Sequence, residues 1–91
     1  MQNFKDVCGQ ESVVWFEVQP SDCEKFLKWA KDLGCVWLSG TKINFREPIK
    51  FTHFSINNEG KLGIIPISTW ASKQTEFQNI KRYEFCEFVS L

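Results

Sequence analysis

Four cysteines (Cys8, Cys23, Cys35 and Cys86) and a single histidine, His53, are the residues here that could supply a nucleophile or hold a metal. A structural zinc site takes about four ligands at recognisable spacing, and this chain has no CxxC pair to start one. No metal or other cofactor is therefore expected. A Cys–His nucleophile would need one thiol brought against His53. Cys23 instead falls on the apolar stripe of a predicted helix, and Cys35 and Cys86 fall in predicted strands beside aromatic residues, where cysteine packs as a small hydrophobe. His53 is expected on the polar face of a hairpin, exposed. Among the carboxylates, Glu84 and Glu87 stand three apart on a predicted strand and so point to opposite faces. Glu17 and Glu59 have no evident partner. The glycines lack the spacing of a phosphate-cradling loop. No catalytic set is expected, and the chain reads as a non-enzyme.

Binding chemistry is better represented. Lys42, Arg46 and Lys50 crowd one segment together with Thr41 and Phe45, and His53 follows just beyond. Cations interleaved with an aromatic can hold a phosphate or stack a base. The same loop could read an acidic patch on a protein, where complementary charge speeds encounter and sets register. Four tryptophans (Trp15, Trp29, Trp37 and Trp70) cannot all be central in so short a chain. Trp37 and Phe16 are expected in the core. Trp29 flanks the helix stripe and Trp70 sits in a polar segment, so these two are candidates for a partner-facing surface. Lys42, Phe45, Arg46, Lys50 and Trp70 are thus the predicted contact residues.

The elements that must position them follow from periodicity. Ser12–Val18 alternates as a strand, with Val14, Phe16 and Val18 against Val13, Trp15 and Glu17. Both faces are apolar, so it is either covered on both sides or sticky on one. Pro20 ends it. Ser21-Asp22-Cys23-Glu24 reads as a capping box, and Cys23, Phe26, Leu27, Ala30 and Leu33 then form one apolar helical stripe opposite Lys25, Lys28, Lys31 and Asp32. Gly34 has the place of a left-handed C-terminal cap. Cys35–Leu38 reads as a second strand, and Lys42–Lys50, interrupted by Pro48, as a loop or irregular edge. Phe51–Ile56 and Lys61–Ile67 form a hairpin around Asn57-Asn58-Glu59-Gly60. Ser68–Asn79 is polar with one helical turn near Thr75–Asn79, and Lys81–Val89 is the last strand. Residues 1–11 are expected to be less ordered.

These elements predict one α+β domain over residues 1–91: a single helix packed on a four- to five-stranded, mostly antiparallel sheet, in the order β-α-β-β-β-β. If the strands flanking the helix are neighbours, a right-handed crossover makes them parallel. Ninety-one residues bury only somewhat over ~60% of their unfolded surface, so the core must be dense. An aromatic content of 15%, with nine Phe and four Trp, makes that feasible and leaves one or two aromatics for the surface. Eleven basic side chains balance eleven acidic ones. That balance excludes both a whole-protein field for nucleic acid and the acidic surface of a DNA mimic. No apolar run approaches the ~18 residues of a membrane span. Without a basic-then-apolar leader, a cytoplasmic location with reduced thiols is expected.

The layout of a strand, the helix "FLKWAKDLG", the segment "VWLSG" and a hairpin with an NEGKL turn resembles that of small accessory proteins of bacteriophages, over Val14 to Ile67. Several such proteins are takeover or counter-defence factors, anti-CRISPR proteins among them. The resemblance implies a phage-encoded, non-enzymatic protein that acts in the host bacterial cytoplasm. Its partner would be a host defence component, such as a CRISPR-Cas effector or another immune nuclease, inhibited by protein–protein contact. The alternative is a nucleotide or nucleic-acid binding module that uses the basic loop 42–50. A homodimer through the outer side of the Ser12–Val18 strand is a further possible assembly.

Overall fold

The computed structural model describes residues 3–44 and 51–90. Five strands form one sheet in the order β2-β4-β3-β1-β5, where β1 is Val13–Glu17, β2 Val36–Trp37, β3 His53–Asn57, β4 Lys61–Ile64 and β5 Lys81–Glu84. The fold is α+β. The sheet is mixed rather than mostly antiparallel: β1–β3 and β3–β4 are antiparallel, whereas β1–β5 and β2–β4 are parallel. The strands flanking the main helix, β1 and β2, are not neighbours, because the β3–β4 hairpin lies between them. Nor is there a single helix. Short helices α1 (Phe4–Cys8), α3 (Ile67–Trp70), α4 (Thr75–Gln78) and α5 (Phe85–Ser90) accompany the main helix α2 (Cys23–Asp32).

The two apolar faces of the first strand have a direct explanation. With β3 on one side and β5 on the other, β1 is internal and covered on both faces. Val14 and Phe16 point into the main core beneath α2, joined by Val18 just past the strand, while Trp15 is buried on the opposite face. The α2 stripe behaves as its spacing requires, with Cys23, Phe26, Leu27, Ala30 and Leu33 all buried. Its start differs from expectation. Pro20–Asp22 forms a 3₁₀ turn closed by the Asp22 amide donating to the Gln19 carbonyl at 2.8 Å, and the capping residue Asp22 makes no side-chain cap bond. Ser21 is absorbed into that turn, so no capping box forms there. One forms instead at α1, in the stretch expected to be less ordered. The Asn3 side chain accepts from the Lys5 and Asp6 amides, and Asp6 accepts from the Asn3 amide.

Two glycines hold positions no other residue would hold cheaply. Gly34, at φ +92°, ends α2: its amide donates to Lys31 and the Cys35 amide donates to Ala30, the paired bonds of a Schellman cap. Gly60, at φ +80°, closes the β3–β4 turn, where a Cβ would stand 2.9 Å from the Phe4 ring. The Asn57 side chain secures the same turn by accepting from the Glu59 and Lys61 amides, each at 2.9 Å.

The last predicted strand ends early. After Glu84 the chain turns into α5, which places Phe85 and Phe88 three apart on one helical side, against Phe16 and Trp29. Phe88 therefore joins Phe85 on the core face instead of pointing away from it. No helix among the described residues is long and apolar enough to cross a membrane.

Candidate functional site

Strand alternation decides which side chains share the sheet face opposite α2. On β1 they are Val13, Trp15 and Glu17; on β3, His53, Ser55 and Asn57; on β5, Arg82 and Glu84. Register then aligns them in rows: Trp15 lies beside Ser55 and Arg82, and Glu17 lies between His53 and Glu84. α3 and α4 fold back over this face. Trp70 stacks on Trp15 with ring centres 5.6 Å apart, and Phe77 packs at 5.7 Å from Trp15. The Arg82 guanidinium lies 4.8 Å from the Trp15 ring centre and 5.0 Å from that of Trp70. It also donates to the backbone carbonyls of Trp70 at 2.8 Å and Phe77 at 3.1 Å. One arginine thus fastens both small helices to the sheet.

His53 occupies the middle of this second layer and is only 9% exposed, which corrects its reading as an exposed histidine. Its Nδ1 is 2.8 Å from the Thr52 hydroxyl, its Nε2 is 3.3 Å from Glu17, and its ring lies 4.5 Å from that of Trp70. Nε2–H donates to the Glu17 carboxylate, and the Thr52 hydroxyl and Nδ1 share the second hydrogen bond, whose direction follows the tautomer. Hydroxyl, imidazole and carboxylate follow the order of a nucleophile, its base and an orienting acid. Here the hydroxyl belongs to the adjacent residue, so the contact is local, and its effect is to fix the plane of a buried ring. Glu17, read from sequence as lacking a partner, has one.

Beside His53 lies an open apolar groove of about 400 Å³, lined by Phe51, Thr52, His53, Ile64, Ile65, Pro66 and Ile67. Phe51 is 49% exposed, Ile64 40% and Ile67 68%. The other two large hydrophobic residues exposed among those described, Leu38 and Val89, are not in its lining. A domain this small exposes isolated apolar side chains routinely; here three of them gather around one concavity.

Of the predicted contact residues, Trp70 is half-buried and braces the inner side of this layer, and Lys42 is exposed but does not line the groove. Phe45, Arg46 and Lys50 lie outside the described residues. Sequence reasoning missed the groove because it gave the Ile64–Ile67 stretch to a strand and left His53 on the surface. The available signal was the doubly apolar β1: a buried Trp15 requires a second covering layer, and Trp70 and Phe77 were the aromatics left to supply it.

The cysteines divide into two groups. Cys8, Cys23 and Cys35 are buried, and Cys86, in α5, is exposed, contrary to its placement among core thiols. Burial pushes the Cys35 thiol up to about 11, with nearby Cys8 adding to the effect. Burial raises Cys8 and Cys23 as well. At neutral pH these thiols are poorer nucleophiles than ordinary cysteine, Cys35 by about a hundredfold in thiolate population. Maleimide labelling of the folded protein at pH 7 is therefore expected to modify Cys86 first and the other three only on unfolding. Labelling of Cys35 as fast as Cys86 would contradict this arrangement. The sign of the pH effect follows: the unfolded chain releases these protons near pH 9, before the folded one does. Thiol titration therefore lowers stability as pH climbs from about 9 towards 11.

No group of three or more His, Cys, Asp or Glu side chains among the described residues is placed to hold a metal ion. Comparison with known protein families, characterised proteins and solved structures finds no match.

Proposed function

We propose that the protein is a non-enzymatic binding module that acts by protein–protein contact through the apolar groove between Phe51–His53 and Ile64–Ile67. The observation that carries this reading is the convergence of three exposed, bulky apolar side chains on one concavity. Binding energy concentrates in such pockets, because a partner's anchor side chain is fully desolvated there. His53, which lines the groove, is held between Thr52 and Glu17, so this part of the groove does not have to be ordered on binding. Together with the phage-like layout of Val14–Ile67, this supports a phage-encoded inhibitor that docks on a host defence component in the bacterial cytoplasm.

The test is affinity capture from a bacterial host lysate, comparing the wild-type protein with Ile67→Lys. Ile67 is exposed, so the substitution leaves the core untouched while placing a charge in the groove. One host protein, retained after nuclease treatment by the wild type and reduced at least about tenfold by Ile67→Lys, is the expected result. Equal capture by both proteins would place the contact elsewhere. Recovery of nucleotides or nucleic acid without a dominant protein would overturn the reading in favour of a nucleic-acid module.

A further inference from the structure

The charge beside the groove says what its occupant should carry. Glu17 and Glu84 stand side by side in register on the parallel strands β1 and β5, on the same face as His53. Adjacent strands are about 4.8 Å apart, so the two carboxylates form a short acidic row leading away from the groove wall. Like charges directly opposite one another on a sheet are unfavourable, so the row favours an added cation. His53 Nε2 lies 3.3 Å from the Glu17 carboxylate, whereas Glu84 has no such contact among the described residues. Arg82, the cation on the same face of β5, is committed to the Trp70 and Phe77 carbonyls. Lys81 is on the other face by alternation and pairs with Glu11 at 3.7 Å. Glu84 is exposed and forms no ion pair with another described residue.

From this juxtaposition we infer that the groove receives a bulky apolar side chain of a partner segment whose neighbouring residue is basic, the Lys or Arg lying along Glu17 and Glu84. The inference rests on the groove being a contact surface and adds the chemistry of what it contacts. The apolar anchor supplies most of the affinity by desolvation, and the acidic row supplies orientation and selection, the usual division of labour between groove and rim. An acidic partner segment is disfavoured by the same row.

The experiment is an NMR titration of ¹⁵N-labelled protein at low salt with two probes of identical apolar group and opposite charge, N-acetyl-phenylalanyl-lysine amide and N-acetyl-phenylalanyl-glutamate amide. Both are expected to move the amide signals of Phe51, Thr52, Ile64, Ile65 and Ile67. The lysine probe should bind roughly three- to fivefold more tightly, the scale of an exposed ion pair, and the difference should shrink as salt is added. In Glu84→Lys, an exposed position whose folding is checked in the same spectra, the groove signals should still move while the preference disappears or reverses. Equal affinity for the two probes, or preference for the glutamate probe, overturns the inference but leaves the groove as a binding surface. Failure of either probe to move the groove signals overturns the groove reading itself.

Discussion

Replacing Phe26 with alanine is expected to cost about 3–5 kcal/mol of folding stability, the largest loss of any single change considered for this domain. Phe26 is fully buried on α2 and is the junction between layers. Its ring lies 4.7 Å from that of Phe54 on β3, 5.1 Å from Phe85 on α5, and 5.7 Å from both Phe16 on β1 and Trp29 on its own helix. Aromatic pairs of this kind add about 0.5–1.5 kcal/mol beyond the area they bury. The partners come from three different elements besides α2, so no one of them can move in to fill the cavity without leaving another contact. A domain of this kind has only about 5–15 kcal/mol in total, so the variant should sit near the edge of folding. Urea denaturation followed by tryptophan fluorescence should show the midpoint lowered by on the order of 2 M with an unchanged slope. Phe26→Leu, which keeps most of the volume but gives up the ring contacts, should lose clearly less than the alanine variant. A loss below about 1 kcal/mol for the alanine variant would mean that α2 is not seated on the sheet as described.

The same contacts explain which parts of the fold were legible in the sequence. The α2 stripe, its glycine stop at Gly34 and the Asn57–Gly60 hairpin were readable because each rests on local rules: a 3.6-residue period, a left-handed cap and a turn motif. Mixed strand pairing was not readable, since β5 joins β1 and β4 joins β2 across long separations that leave no local mark. The α5 helix was misread for a related reason. In Phe85-Cys86-Glu87-Phe88-Val89, a strand reading puts Phe88 on the opposite side from Phe85, whereas a helix puts the two together. Five residues cannot decide between the periods; the presence of Phe16, Phe26 and Trp29 on one side of β5 does. The Ser21 box failed because Pro20 favoured a 3₁₀ turn that used the same residues.

The candidate site was less legible than the fold, since its parts are brought together from four places in the chain. Glu17, His53, Trp70 and Arg82 are each unremarkable in sequence: an acid at a strand end, a histidine in a hairpin, an aromatic and a cation in polar segments. Only the register of β1 with β3 and β5 puts the first, second and fourth on one face, and only the fold-back of α3 brings Trp70 over them. The aromatic surplus was a correct cue that more than one layer had to be filled. It pointed to Trp70 as a residue facing a partner; the structure places Trp70 half-buried in a second layer with Trp15 and Phe77, and leaves Phe51 exposed.

Trp70 is therefore expected to act on the groove through stability rather than by direct contact. Trp70→Ala removes the 5.6 Å stack on Trp15, the 4.5 Å contact with His53 and one of the two rings beneath Arg82. Two aromatic contacts at about 0.5–1.5 kcal/mol each, an exposed-site cation–π term of about 0.5–1 kcal/mol and the lost burial of a half-covered indole together give about 2–4 kcal/mol. The backbone carbonyl at residue 70 remains available to Arg82, but α3 loses the side chain that holds it down, and Pro66 and Ile67 form the groove wall immediately before it. Hydrogen exchange should therefore speed up for amides 67–71 well before it does for α2, a local opening superimposed on the global loss. Trp70→Phe should restore roughly half the stability, since a smaller ring still covers Trp15 and His53. If Trp70→Ala lowered partner capture while leaving stability and exchange at 67–71 unchanged, Trp70 would itself be a contact residue. Loss of stability and faster exchange together would instead show that the groove keeps its shape because the second aromatic layer holds one of its walls in place.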